Sequence, residues 1–177
     1  CTVIADEEDN ENVDNSASSP IYTALLDNTT GLTYGNEINF MKLDIAANNK
    51  SDILIRTIPL NIRIYTKRII IWNLKLRDRE GKIINVSMTA LNKVNEFDKD
   101  IQLEIKFNTP YAVSAGTGTS FTLTGVVTGE SDEYDTIVTW LWDKGKFTGT
   151  NVTLQKPFTG EDIPWYSWNA ISLMRRP

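Results

Sequence analysis

The residues with chemical capacity in this sequence sit near its two ends and in one basic stretch between them. Toward the C-terminus, Pro164-Trp165-Tyr166-Ser167-Trp168 follows Glu161 and Asp162. Aromatic faces beside carboxylates can hold a pyranose ring by stacking and hydrogen bonding. The same rings can instead plug a core, because each buries a large apolar area. On an extended strand Trp165 shares a face with Ser167, and Tyr166 with Trp168, so the three rings form one platform only if the strand breaks. Trp165, Tyr166 and Trp168 are therefore candidate glycan contacts, with core packing as the plainer alternative.

The opposite end reads CTVIADEEDNENVDNSASS. The acids Asp6, Glu7, Glu8, Asp9, Glu11 and Asp14 lack the Asp-x-Asp-x-Asp-Gly spacing by which calcium loops turn around their ion, so no metal site is assigned. They carry −6 of a chain whose net charge is −5, leaving the remainder at +1. Acidity is thus a property of this arm, and no broad basic surface for nucleic acid is indicated. Cys1 is the single cysteine, which excludes an internal disulfide. A terminal cysteine before a polar acidic linker suits the lipid acceptor of a membrane-anchored protein. A disulfide between subunits, a free thiol, or a numbering that simply begins there are the alternatives.

Between Arg56 and Lys82 the balance reverses. Arg56, Arg63, Lys67, Arg68, Lys75, Arg77, Arg79 and Lys82 face only Asp78 and Glu80. Solvent faces and strand edges account for such residues, and lysine on an edge opposes aggregation. The sharper expectation is that Arg56, Arg63, Lys67, Arg68, Lys75 and Arg77 dock the acidic arm of a neighbouring copy. Screened surface pairs contribute little each, so apolar anchors such as Val3 and Ile4 would have to help.

The chain of 177 residues contains no histidine. That removes the commonest general base, the Ser-His and Cys-His dyads and the usual zinc ligand sets. A glycosidase working through two facing acids remains conceivable in principle, but no pair stands out. The expectation is a protein that is not an enzyme and needs no cofactor. Asn28, Asn49, Asn85 and Asn151 each begin an Asn-x-Ser/Thr triplet, a weak sign of export.

The elements that must position these residues read as strands. Residues 1–19 form a polar arm that cannot bury enough apolar surface to order itself. From 20 to 177 the chain is a succession of about nine short β-rich runs, punctuated by Gly, Asn, Asp and Pro, with no sustained helical period. In "EINFMKLDIAANN", Ile38 and Phe40 fall on one side and Met41, Leu43 and Ile45 on the other. In "DILIRTIPLNIRIY", Pro59 predicts a bulge, a crossing between sheets or an edge. In "RIIIWNLKLRD", Ile70, Trp72, Leu74 and Leu76 alternate with Ile71, Asn73, Lys75 and Arg77, and residues 69–89 read as a hairpin. Ile101, Leu103, Ile105 and Phe107 alternate with Gln102, Glu104 and Lys106. The pattern predicts an all-β sandwich.

The segment "IQLEIKFNTPYAVSAGTGTSFTLTGVVTG", followed by "TIVTWLWD", resembles immunoglobulin-like sandwich modules of bacterial surface and filament proteins over residues 100–142. The cysteine pair of antibody domains is missing. The resemblance implies an immunoglobulin-like β-sandwich with an extended acidic N-terminal arm, outside the cell, in a structural or adhesive role. An arm so polar becomes ordered only by borrowing a surface, most economically that of an adjoining copy. Strand addition of this kind propagates head to tail. The reading from sequence is therefore a homo-polymeric subunit of an extracellular filament or surface array. The alternative is a lipid-anchored module that binds glycan or protein.

Overall fold

Residues 24–25, 32–65, 68–91, 99–130, 135–163 and 171–175 are described by the computed structural model. In chain order the strands are β1 (Ala24–Leu25), β2 (Glu37–Ala46), β3 (Ile53–Ile64), β4 (Ile69–Arg77), β5 (Val86–Ala90) and β6 (Lys99–Val113). They are followed by β7 (Gly118–Gly129), β8 (Thr136–Leu141), β9 (Thr148–Asn151), β10 (Lys156–Thr159) and β11 (Ile171–Arg175). Two 3₁₀ turns, Lys144–Lys146 and Gly160–Asp162, flank β9 and β10, capped by Asp143 and Thr159.

The first sheet runs β1-β2-β7-β4 and the second β10-β9-β3-β6-β5, with β8 also on β3 and β11 on β8. The inward side chains of both sheets share one core, including Leu43 and Ile45 of β2, Ile58 and Leu60 of β3, Ile105 of β6 and Leu123 of β7. Phe107 and Tyr111 of β6 meet Phe121 of β7 in a ring cluster with centroids 4.8–5.8 Å apart, which ties the two sheets together. The chain is an all-β, immunoglobulin-like sandwich. In an immunoglobulin domain strands A-B-E-D form one sheet and G-F-C the other. Here β3, β6 and β5 stand as B, E and D, while β7 and β4 stand as F and C. The edge beside B is filled by β8 and β9, and the edge beside F by β2, so the edge strands come from the opposite chain ends to A and G.

Four sequence expectations change. Residues 69–89 do not form a hairpin, because β4 and β5 belong to different sheets and β5 pairs with β6. Only a short clasp remains, in which Ile84 N–H donates to the Leu76 carbonyl and Asp78 N–H to that of Lys82. In β4 the period of two breaks at Asn73, whose φ is +53° and where the register on β7 shifts between Trp72 and Lys75. Ile70 and Trp72 therefore face outward at 62% and 51% exposure, while Leu76 turns into the core. A second bulge between Asn39 and Met41 lets Phe40, Met41, Leu43 and Ile45 all point inward rather than to two sides.

Pro59 does not interrupt β3. The bulge there falls between Ile55 and Thr57. Along the outer edge of β3, pairing with β9 ends at Thr57 and pairing with β8 begins at Leu60. Pro59, which has no N–H to offer, occupies the handover where none is demanded.

Candidate functional site

The outward face of the first sheet is ordered in rows across β2, β7 and β4. Register places Glu37 beside Val126 and Trp72, Asn39 beside Thr124 and Lys75, and Lys42 beside Thr122 and Arg77. The Asn73 bulge is what sends Lys75 and Arg77 to the same side as Trp72. Glu37 is the centre of this face. Its carboxylate accepts from Lys75 Nζ at 2.9 Å, Arg77 Nη2 at 2.6 Å and Nε at 2.9 Å, and Thr124 Oγ1 at 2.8 Å. Hydrogen bonds from Lys75, then from Arg77 and Thr124, hold its carboxyl well below the ordinary carboxylate range, at about 2. Further along, Ser120 Oγ donates to Asp44, and Lys42 Nζ lies 3.7 Å from the same carboxylate. There the surface dips into a cleft of about 530 Å³ lined by Asp44, Asp78, Arg79, Thr119, Ser120 and Thr122. Asp78 is fixed by the backbone N–H groups of Glu80 and Lys82.

A second surface lies on the flank where β4 and β5, the edges of their respective sheets, face one another. Because the chain crosses from one sheet to the other here, the gap between them stays open. It forms a groove of about 460 Å³ walled by Leu74, Leu76, Ile83, Ile84, Val86 and Met88. Ile83 on its rim is half exposed. Among the described residues, positions 69–75 of β4 have no strand on the side away from β7.

The sequence-predicted sites divide sharply. Cys1, Val3, Ile4, Asp6, Glu7, Glu8, Asp9, Glu11, Asp14, Asn28, Lys67, Trp165, Tyr166 and Trp168 lie outside the described residues. The remaining basic residues do not make one docking strip, because they are spread over both sheets and bound within the chain. Arg56 Nε donates to Thr150 Oγ1 at 3.1 Å, Arg68 lies 3.8 Å from Glu130, and Lys75 and Arg77 share Glu37. Arg63 binds Asp100 and spreads over the Trp140 ring at 5.2 Å. Asn49 and Asn85 are exposed, as a glycan acceptor must be. Asn151 is not: it is 1% exposed, and its Oδ1 accepts from Ser51 Oγ and Leu154 N–H at 2.8 Å each. Its role is to hold a turn.

Sequence reasoning missed Glu37 and Arg77 as partners and Trp72 in the same face, since β2 and β4 lie far apart in the chain and join only through β7. It also missed the polar cluster on the outer face of the second sheet. There Asp100 accepts from Asn61 Nδ2 and from Arg63, and Trp140 lies beneath the guanidinium. The one signal available was Asn61 within an otherwise apolar run, a polar residue that needs a partner if buried.

No protein-family model matches the chain, and no curated protein matches it. Solved structures give faint likenesses. A family 123 glycoside hydrolase from Clostridium perfringens aligns at TM-score 0.33 and 10% identity, over 81% of this chain and 21% of that one. The collagen-binding domain of a Staphylococcus aureus adhesin aligns at 0.30 and 12%, over 89% and 97%. The family 3a carbohydrate-binding module of the cipA scaffolding of Clostridium thermocellum aligns at 0.27 and 13%, over 60% and 86%. TM-scores this low carry no argument about what the chain does.

Proposed function

We propose that this chain is a non-enzymatic structural subunit of an extracellular filament or surface array, assembled by an extended segment of one copy seating on the open flank of the next. The observation that carries this reading is the apolar groove between β4 and β5, bordered by residues 70–75 of β4, which among the described residues have no second strand beside them. An extended segment laid along residues 70–75 would pair with backbone groups of that edge and drop alternate side chains onto Leu74, Ile83 and Met88. The N-terminal arm offers Val3 and Ile4 for the groove, and its acids follow toward Lys82. Since Lys75 and Arg77 are already claimed by Glu37, apolar contact supplies most of the attraction and charge only guides it. Each copy presents both a donor and an acceptor, so the contact is head to tail, the kind that extends into fibres when its rotation does not close a ring.

Size-exclusion chromatography and negative-stain microscopy test this on the full chain, on a chain lacking residues 1–19, and on Ile83→Asp. The expected result is concentration-dependent assembly by the full chain and monomers from both variants, with thermal unfolding of Ile83→Asp unchanged. A full chain that stays monomeric at every concentration, or assembly that survives both changes, defeats the proposal.

A further inference from the structure

The outward face of the first sheet is not used by that assembly, because Trp72 and Glu37 point away from the groove that Leu74 and Leu76 line. We infer that this face is a binding site for a neutral polysaccharide, laid along the strands from the Trp72 ring to the cleft between Asp44 and Arg79. The first argument is the ring. Trp72 lies half exposed on the outer face, and it offers a flat apolar surface on which a sugar ring can stack. The second is the polar strip beside it. Lys75 is tied to Glu37, which buried Thr124 also holds, and Ser120 is tied to Asp44, so the groups that Glu37, Lys75, Asp44 and Ser120 still offer are held in place before any ligand arrives.

The third argument selects the ligand class. Lys42, Lys75, Arg77 and Arg79 stand against Glu37, Asp44 and Asp78, a residual charge of only +1. Most of those charges are consumed in pairs within the face, which leaves little field for a polyanion. A polyhydroxylated neutral chain needs what is there: alternating donors and acceptors next to an aromatic plane. From Trp72 to Arg77 the strand spans roughly 15 Å, and the turn that carries Asp78 and Arg79 continues the face, long enough for several sugar rings in a row. The cleft at the far end gives a terminal or branching unit a recess.

The test is native affinity electrophoresis of the full chain in gels containing hydroxyethyl cellulose, xyloglucan or galactomannan, with polygalacturonate and heparin as anionic polymers. At least one neutral polymer is expected to retard the chain, and the retardation is expected to persist in high salt. Trp72→Ala should weaken binding about tenfold or more, and Arg79→Ala by a smaller factor. Ile83→Asp should bind as the parent does, which separates this site from the assembly groove. Thermal unfolding of each variant checks that it folds, and both substitutions lie at exposed positions. Retardation by none of the neutral polymers, equal retardation of Trp72→Ala, or retardation by the anionic polymers alone overturns the inference.

Discussion

Glu37 and Arg77 stand on strands that never touch, yet their side chains meet at 2.6 Å over the β7 backbone that separates them. The contact locks the order β2-β7-β4 from outside the core. It also makes stability depend on acidity in a defined direction. The Glu37 carboxyl falls from the usual 4.5 to about 2 on folding, so its stabilisation is complete above about pH 4.5 and is lost as pH drops toward 2. Glu37→Gln should cost on the order of 1 kcal/mol at neutral pH, a modest figure because the charges keep contact with water. Urea midpoints of the two proteins should differ at neutral pH and converge near pH 2.

Asp100 serves two donors on β3. Asn61, only 2% exposed, donates its Nδ2 to one oxygen, and Arg63 binds the other. Asp100→Ala removes the acceptor and leaves a buried amide short of a partner, which should cost about 1–3 kcal/mol by chemical denaturation. Asp100→Asn keeps one acceptor oxygen and should lose less.

Two glycines with positive φ should respond differently to alanine. Gly129 has φ +126°, and a methyl group there would run into the Arg68 carbonyl oxygen at the closing end of β7. Gly81, at φ +81° in the turn after β4, has open space around it. Gly81→Ala should cost about 1–2 kcal/mol from backbone conformation alone. Gly129→Ala adds about 1–3 kcal/mol of overpacking and should lower the melting temperature clearly further.

Phe121 joins the sheets through its edge-on contact with Tyr111, and it is 1% exposed. Phe121→Ala should cost about 3–5 kcal/mol, with near-ultraviolet circular dichroism reporting the loosened rings. Such a loss is a large fraction of a small domain's stability.

Much of the fold was legible because alternation is a direct record of burial. The run from Ile101 to Phe107 became β6, with Leu103, Ile105 and Phe107 inside. What alternation could not reveal is a change of parity. Asn73 looks like a polar residue on the far side of a regular strand. In fact its left-handed backbone reverses the inward and outward assignments around it, and so assembles the Trp72, Glu37 and Arg77 face. Nor could local pattern say that β4 and β5 part company. Both read as strands joined by a turn, and only competition for β7 and β6 decides that they go to different sheets. The acidic arm and the Trp165–Trp168 cluster dominated the sequence because their composition is conspicuous. The face built on Glu37 is invisible until residues nearly ninety positions apart are brought together, as in its bond from Thr124.

The outer edge of β3 is completed by two strands, β9 on its first half and β8 on its second, and both follow Asp135 in the chain. During synthesis, every strand from β2 through β7 therefore emerges before anything in the second sheet can cover that edge. A nascent or proteolytically shortened molecule would present β3, most of whose residues are buried in the finished fold, with one whole side unzipped. Chains lacking the final quarter should consequently bind chaperones or associate through that edge, because among the described residues only β8 and β9 close it.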